Sequence, residues 1–351
     1  MSLLAKQPPA RPPSVLSGLR PTGRVHLGNY FGAVKNWVDL QDRYRCHYFV
    51  ADWHALTSDY ADTGGLEKAT YDAVLDWLAA GIDPVKSIVF VQSWVKEVAE
   101  LHLLLSNVTP LGWLERVPTY KDQMEQVTNK DLTNYGFLGY PVLQTADIIL
   151  YKGAYVPVGE DQASHIEISR EIVRRFNQFF KLRDGSEIFP EPQALLTSTP
   201  KVPGIDARKM SKSYGNAIDL VEPTESLKTK VMAMVTDPAR ARRADPGEPK
   251  NCNLYNFHRI FTPAERNAEI EAGCRSAALG CVDCKKILIG TMDSGLEPIR
   301  ERRSSLAAQP GRISEILADG ADRARAEARE TMGEVYEALG LARPGASVSG
   351  S

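Results

Sequence analysis

The run Ser87-Ile88-Val89-Phe90-Val91-Gln92 offers no polar face. A strand with one side in water alternates apolar and polar residues, whereas an uninterrupted apolar run belongs to a strand covered on both sides, the habit of parallel sheets. Two earlier segments also read as strands, Val15-Leu16-Ser17-Gly18 and His47-Tyr48-Phe49-Val50-Ala51-Asp52. Helical spacing separates them. Val34, Trp37, Val38 and Leu40 share one face of a helix expected over Gly28 to Tyr44, and a second helix is expected from Leu66 to Ala80, stopped at Gly81. This alternation predicts an α/β fold on a doubly wound parallel sheet, with ligands at the carboxyl ends of the strands.

Beyond Gly215 strands become hard to find and helical segments dominate, including Ile313 to Leu339 with its many Ala, Arg and Glu residues. The expected organisation is a disordered tail over 1–14, a catalytic domain over 15–214, an all-helical domain over 215–342 and a second disordered tail over 343–351. With 42 basic against 44 acidic residues there is no global cationic field, so a nucleic-acid partner must be held by local patches. The N-terminal stretch lacks the apolar run of a secretory signal. The most apolar later stretch, Tyr140 to Tyr151, is broken by Gln144 and Asp147 and is too short to span a bilayer. A cytoplasmic location with no membrane partner is expected. Of five cysteines, Cys46 stands alone, and Cys252, Cys274, Cys281 and Cys284 follow the spacing C-x21-C-x6-C-x2-C. In a cytosolic chain such a group points to a metal more than to disulfides.

The turn after the first strand, Arg20-Pro21-Thr22-Gly23-Arg24-Val25-His26-Leu27-Gly28-Asn29, contains no G-x-G-x-x-G, which disfavours a dinucleotide fold. Its glycines still let a ligand approach the backbone, and a helix amino terminus offers free N–H groups to phosphate, with His26 as a further donor. Far downstream, Lys209-Met210-Ser211-Lys212-Ser213 follows a loop containing Pro203-Gly204. Two lysines and two hydroxyls on such a segment can clamp a polyphosphate, although a lone K-x-x-K pair is usually a solvated loop.

Together, the His-x-Gly turn and the K-M-S-K-S segment resemble the paired signatures of class I aminoacyl-tRNA synthetases. In that class the first signature ends in histidine where this chain has Asn29. Further segments narrow the resemblance: Ser17 to Gly23, Ala51-Asp52-Trp53-His54-Ala55-Leu56-Thr57, Leu111 to Arg116, Tyr140-Pro141-x-x-Gln144-x-x-Asp147, and Val156-Pro157-Val158-Gly159-Glu160-Asp161-Gln162 with His165-Ile166-Glu167. In that order they resemble the tryptophanyl-tRNA synthetase family from about Val15 to beyond Leu339. The tyrosine branch shares Tyr-x-x-x-Gln-x-x-Asp, so that motif alone does not separate the two.

The resemblance implies a Rossmann-like catalytic domain and a helical anticodon-binding domain. It implies L-tryptophan, ATP with Mg²⁺ and tRNA(Trp) as partners, in a homodimer. An indole needs an acceptor for its N–H, because a buried unpaired donor costs about 1–3 kcal/mol. By resemblance that acceptor is Asp147, with Val156, Val158 and Gly18 shaping the slot and Tyr140, Gln144, Gln162 and His54 around the amino acid. Arg20, Pro21, Thr22, Gly28, Asn29, Gly159, Glu160, Asp161 and Lys209 to Ser213, that is Lys209, Met210, Ser211, Lys212 and Ser213, are implied at ATP. Lys209, Lys212, His26 and Lys121 are implied in catalysis. The substrate carboxylate is already an ionised nucleophile, so the chemistry requires orientation and charge stabilisation without a general base. Arg240, Arg242, Arg243 and Arg259 are expected phosphate contacts for tRNA. Four thiolates suit either tetrahedral Zn²⁺ or a [4Fe–4S] cluster. Resemblance to a subset of the family with nearly this cysteine spacing implies the iron–sulfur cluster. Two other readings are a catalytically inactive nucleic-acid-binding regulator and a small-substrate nucleotidylyltransferase; the complete K-M-S-K-S opposes the first and the helical C-terminal half the second.

Overall fold

The computed structural model describes residues 12–118, 120, 121, 124, 130–153, 155–158, 163–196 and 202–341. Among these, five strands form one parallel sheet: β1 (Ser14–Leu19), β2 (Arg45–Val50), β3 (Ser87–Val91), β4 (Tyr155–Val158) and β5 (Gln193–Leu196), in the order β3-β2-β1-β4-β5. The chain builds outward from β1 in one direction and then, from β4, in the other. The switch point lies between β1 and β4, where doubly wound sheets open a crevice beyond the strand ends.

The helices in the first half are α1 (Leu27–Asn29), α2 (Lys35–Leu40), α3 (Asp52–Asp59), α4 (Leu66–Ala80), α5 (Glu97–Ser106), α6 (Leu111–Leu114), α7 (Tyr135–Leu138), α8 (Tyr140–Leu150) and α9 (Ala163–Phe179). The second half adds α10 (Thr224–Ala233), α11 (Asn253–Phe261), α12 (Ala264–Arg275), α13 (Cys281–Ala307) and α14 (Pro310–Leu339). Helix α4 ends at Gly81 in the left-handed conformation (φ 118°), as its sequence requires.

Both faces of the sheet are buried at β2 and β3, which accounts for their continuous apolar sequences, whereas the edge strand β5 is largely exposed. Tyr48, Val50, Val89 and Val91 enter one core with Trp37 and Trp77, while Phe49, Ile88 and Phe90 enter the other with α5 and α8. Trp37 stacks on Tyr48 with ring centroids 4.7 Å apart and meets Trp77 edge-on at 5.1 Å, the offset and T-shaped geometries that aromatic quadrupoles favour.

Three expectations are corrected. The first strand begins at Ser14, which is buried, so the structured chain starts inside the expected tail. The helix expected over Gly28 to Tyr44 is divided: a π-helical turn, Tyr30–Val34, separates α1 from α2. The second strand runs two residues earlier than expected, because Asp52 leaves the sheet to open α3 and accepts the N–H groups of Trp53 and Ser93, both at 3.0 Å. Residues 1–11 of the first expected tail, the whole second tail, 343–351, and residue 342 of the helical domain lie outside the described residues.

The helical half packs against the sheet. Ala321, Ala324 and Ala328 of α14 are fully buried in the second core, and at Gly320 a Cβ would lie 1.9 Å from the Val89 carbonyl oxygen. Segment 218–220 pairs with the turn after β1: Leu27 N–H donates to Ile218 O at 2.8 Å and Leu220 N–H to Val25 O at 2.7 Å. Packing therefore continues across residue 215. Among the described residues no helix is long and apolar enough to cross a membrane.

Candidate active site

A cavity of about 380 Å³ opens at the carboxyl ends of β1 and β4, at the switch point. Gly18, His54, Tyr140, Gln144, Asp147, Val156 and Val158, all expected around the amino acid, line it together with Arg20. Gln162, Gly159, Glu160 and Asp161 lie outside the described residues. Tyr140, Gln144 and Asp147 reach the cavity because they follow helical spacing on α8, one face of which looks into it. Gly18 sits under the Phe49 ring, where a Cβ would stand 2.5 Å from Cζ, so only glycine admits both ring and cavity.

Asp147 is almost fully buried. Its Oδ2 receives His54 Nε2 at 2.9 Å, and Gln92 Nε2 stands 2.9 Å from Oδ1 and 2.8 Å from Oδ2. Burial pushes its pKa up; the hydrogen bonds from His54 and Gln92 oppose that. Gln92 was absent from the residues expected on sequence. The available signal was a polar residue at the carboxyl end of an apolar strand, the edge where ligands bind.

The second group of residues gathers beyond β1. His26 caps α1, its Nδ1 accepting the Asn29 N–H at 3.2 Å. That acceptor role places the ring proton on Nε2 and leaves it as a donor. Burial, then the charges of Lys212 and Lys209, lower the His26 pKa to about 4, so the ring is neutral near pH 7. Met210 is buried beneath the turn, its sulfur accepting the Gly28 N–H at 3.3 Å. Lys212 Nζ donates to Thr22 O at 2.8 Å and also to Arg24 O; withdrawal from water lowers its pKa. Lys209, Ser213 and Thr22 are exposed, Ser211 is half-buried and Pro21 is buried. Lys121 is exposed and does not line the cavity.

Two supports had gone unnoticed in the sequence. Asn216 accepts the Ser211 N–H at 2.8 Å and donates to Lys209 O at 3.1 Å and Asp206 Oδ1 at 2.8 Å, fixing both ends of the loop. Asp76, fully buried, accepts the Val25 N–H at 2.6 Å and Arg303 Nε at 2.5 Å, tying the turn to α13. Neither has a sequence signature: Asn216 closes an irregular loop that follows no helical or strand period, and Asp76 meets a residue 227 positions away.

This chain is matched over residues 8–297 by the model of the class I tRNA synthetases for W and Y. The tryptophan–tRNA ligase of Thermotoga maritima is 50% identical over 93% of this chain and 99% of its own, and that of Ralstonia nicotianae 43% identical over 94% and 99%. The chain belongs to the class I tryptophanyl-tRNA synthetases. A solved family member, the Campylobacter jejuni enzyme complexed with ADP and tryptophan, superposes with a TM-score of 0.84 at 37% identity, covering 93% of this chain and all of that one.

A distinctive patch of this family member lies in its helical half. Cys252 caps α11, Cys274 lies near the end of α12, and Cys281 and Cys284 open α13; all four are free thiols, partly buried. Burial, then the neighbouring Cys252, Cys274 and Cys281, push the Cys284 pKa up to about 12. His258 Nε2 stands 3.3 Å from Cys284 Sγ and Arg240 Nη1 4.0 Å from Cys274 Sγ. Among the described residues no set of three or more His, Cys, Asp or Glu side chains stands arranged to hold a metal ion. Arg242, Arg243 and Arg259 are exposed nearby in sequence or fold.

Proposed function

We infer that this protein is a tryptophan–tRNA ligase that joins L-tryptophan to ATP as tryptophanyl-adenylate, releasing pyrophosphate, and then transfers tryptophan to the terminal adenosine of tRNA(Trp). One observation carries the reading. The cavity at the switch point closes on a buried carboxylate, Asp147, in a chain whose likeness to tryptophan–tRNA ligases spans nearly its whole length. A buried acceptor beside Phe49, Ile148, Val156 and Val158 suits the N–H and the flat apolar faces of an indole, and the polar lining of Tyr140 and Gln144 suits the rest of an amino acid.

In the site reading, Asp147 accepts the indole N–H, Val156 and Val158 flank the ring, and Tyr140, Gln144, Gln162 and His54 surround the amino acid. The substrate carboxylate attacks the α-phosphate in line and expels pyrophosphate; the 2′-hydroxyl of the tRNA then attacks the acyl carbon of the adenylate, forming the ester and releasing AMP. Neutral His26, through its Nε2–H, and the side-chain amide of Asn29 offer N–H donors to the phosphates, while Gly28 lets them approach the backbone; the main-chain N–H groups of Gly28 and Asn29 are held by Met210 sulfur and His26 Nδ1. Lys209 and Lys212 supply positive charge as pyrophosphate departs, with Lys121 as a further contact. Arg20, Pro21, Thr22, Gly159, Glu160, Asp161, Met210, Ser211 and Ser213 complete the nucleotide site in this reading. Mg²⁺ travels with ATP, where it offsets phosphate charge.

The 215–342 half is assigned to the anticodon, with Arg240, Arg242, Arg243 and Arg259 on tRNA phosphates. Cys252, Cys274, Cys281 and Cys284 are assigned to a [4Fe–4S] cluster, with Zn²⁺ as the alternative ion. The C-x21-C-x6-C-x2-C spacing and the free state of all four thiols support this assignment; among the described residues they are not gathered as a metal-holding group, so binding the ion requires the side chains to move. ATP–pyrophosphate exchange with tryptophan, with tyrosine and with neither tests the activity. Exchange driven by tryptophan alone is expected. Exchange driven by tyrosine would move the chain to the other branch, and none at all would favour a non-catalytic RNA-binding role.

A further inference from the structure

Gln92 occupies the first position after β3, with its side chain fully buried. Its amide is held at both ends. Oε1 faces the backbone N–H of His54 at 3.3 Å, a partner that only donates, so the oxygen must lie on that side. Nε2 therefore faces Asp147, within 2.9 Å of both carboxylate oxygens. An amide nitrogen accepts nothing. A proton on Asp147 would confront the Gln92 donor on either oxygen, whereas His54 Nε2, 2.9 Å from Oδ2, donates or accepts according to its tautomer.

We infer that Gln92 is a positioning residue for amino-acid specificity, holding Asp147 as an acceptor-only carboxylate so that the cavity selects a ring bearing an N–H. This rests on the reading that Asp147 receives the indole N–H. A carboxylate has roughly four acceptor directions; the donors of Gln92 and His54 occupy three contacts, and Asp147 also lines the cavity. Burial favours the neutral acid, which could present a hydroxyl to a substrate acceptor and would blur the selection. The other ionisable groups bearing on the site are Asp52 and His54 of α3, Glu97 and His102 of α5, and Tyr151 after α8. Among the groups that bear on Asp147, Gln92 is a donor that does not titrate. Its support is therefore constant with pH.

The test compares L-tryptophan with L-3-(3-benzothienyl)alanine, which replaces the N–H by sulfur in nearly the same outline, in ATP–pyrophosphate exchange between pH 6 and 8.5. Gln92→Glu is isosteric and keeps the acceptor for His54 N–H, but it sets a second carboxyl against Asp147, so the two must share a proton. Gln92→Leu removes the donor without adding an acid. In both variants the kcat/KM preference for tryptophan is expected to fall about tenfold or more. The KM for tryptophan should become pH-dependent, rising toward pH 6, while the KM for ATP stays within about twofold. Asp147→Ala separates the layers. If it keeps the wild-type preference, the indole assignment fails and this inference with it. If it abolishes the preference while both Gln92 variants retain it with a flat pH profile, only the role of Gln92 is overturned. Equal losses for tryptophan and ATP with early thermal unfolding in both variants would likewise overturn it, reducing Gln92 to a packing residue.

Discussion

The sulfur of Met210 accepts the Gly28 N–H at 3.3 Å, so the lysine-bearing loop is docked on the glycine turn. The contact buries Met210 and leaves the flanking Lys209 and Lys212 at the surface of the turn. Lys212 meanwhile donates to the carbonyls of Thr22 and Arg24. Its ammonium is thus held beside the helix amino terminus by neutral partners, which a phosphate can displace because a charged acceptor binds an ammonium more strongly.

Lys212→Ala is therefore expected to slow adenylate formation by roughly 10²- to 10³-fold, the scale for removing one group that stabilises transition-state charge. Tryptophan affinity should be nearly unchanged. Single-turnover measurement of adenylate, alongside equilibrium binding of tryptophan, checks both halves. A normal rate constant would reduce the segment to a solvated basic loop.

Asp147→Ala is expected to raise the KM for tryptophan by roughly 5- to 150-fold, the range for leaving a buried donor unpaired. The KM for ATP should change little. The fold around this carboxylate was legible in the sequence to an unusual depth: continuous apolar strands announced a sheet buried on both faces, and helical spacing put Tyr140, Gln144 and Asp147 on one side of α8. Gln92, Asn216 and the pair of Asp76 with Arg303 were not legible as a set. Gln92 and Asp76 act through contacts between segments up to 227 residues apart, and Asn216 closes a loop on Asp206, Lys209 and Ser211 with no helical or strand period to mark it. The π-helical turn at Tyr30–Val34 was hidden for a different reason: the residues whose spacing predicts the helix, Val34, Trp37, Val38 and Leu40, lie at its last position or beyond it.

His26 gives a pH dependence of known sign. Its folded pKa, about 4, lies below the ordinary 6.5, so between these values the unfolded chain binds more protons than the folded one. Stability is thus full above pH 6.5 and falls as pH drops toward 4, by at most about 3 kcal/mol from this group. His26→Asn keeps a side-chain acceptor for the helix cap but does not titrate. Denaturant unfolding between pH 7 and 5 should show a shallower loss of stability in the variant; identical slopes would mean that His26 keeps an ordinary pKa.

Gly320→Ala tests how the helical half meets the sheet. The new Cβ would stand 1.9 Å from Val89 O and 2.7 Å from Val89 C, both backbone atoms of β3 that no rotamer change can move. Helix α14 must shift away, opening the contact made by Ala321, Ala324 and Ala328. A loss of about 1–3 kcal/mol or more is expected in denaturant unfolding. An unchanged midpoint would show that α14 can slide along the sheet freely.

The cysteine patch offers the last prediction. Cys252, Cys274, Cys281 and Cys284 lie on α11, α12 and α13 and their caps, far along the chain from the residues that line the cavity. Burial, then the neighbouring thiols, raises the pKa of Cys284, and burial raises that of Cys274; a metal that binds thiols must release their protons. Binding should therefore be stronger at higher pH. Protein purified without oxygen is expected to be brown and to carry about four irons and four sulfides per chain. Removing the metal should weaken tRNA(Trp) binding, as should replacing Arg242 and Arg243, while tryptophan-dependent pyrophosphate exchange persists. Zinc in equal amount with no iron would establish the alternative ion. Metal-free protein with full tRNA affinity would remove the metal assignment and leave four packed, reduced thiols.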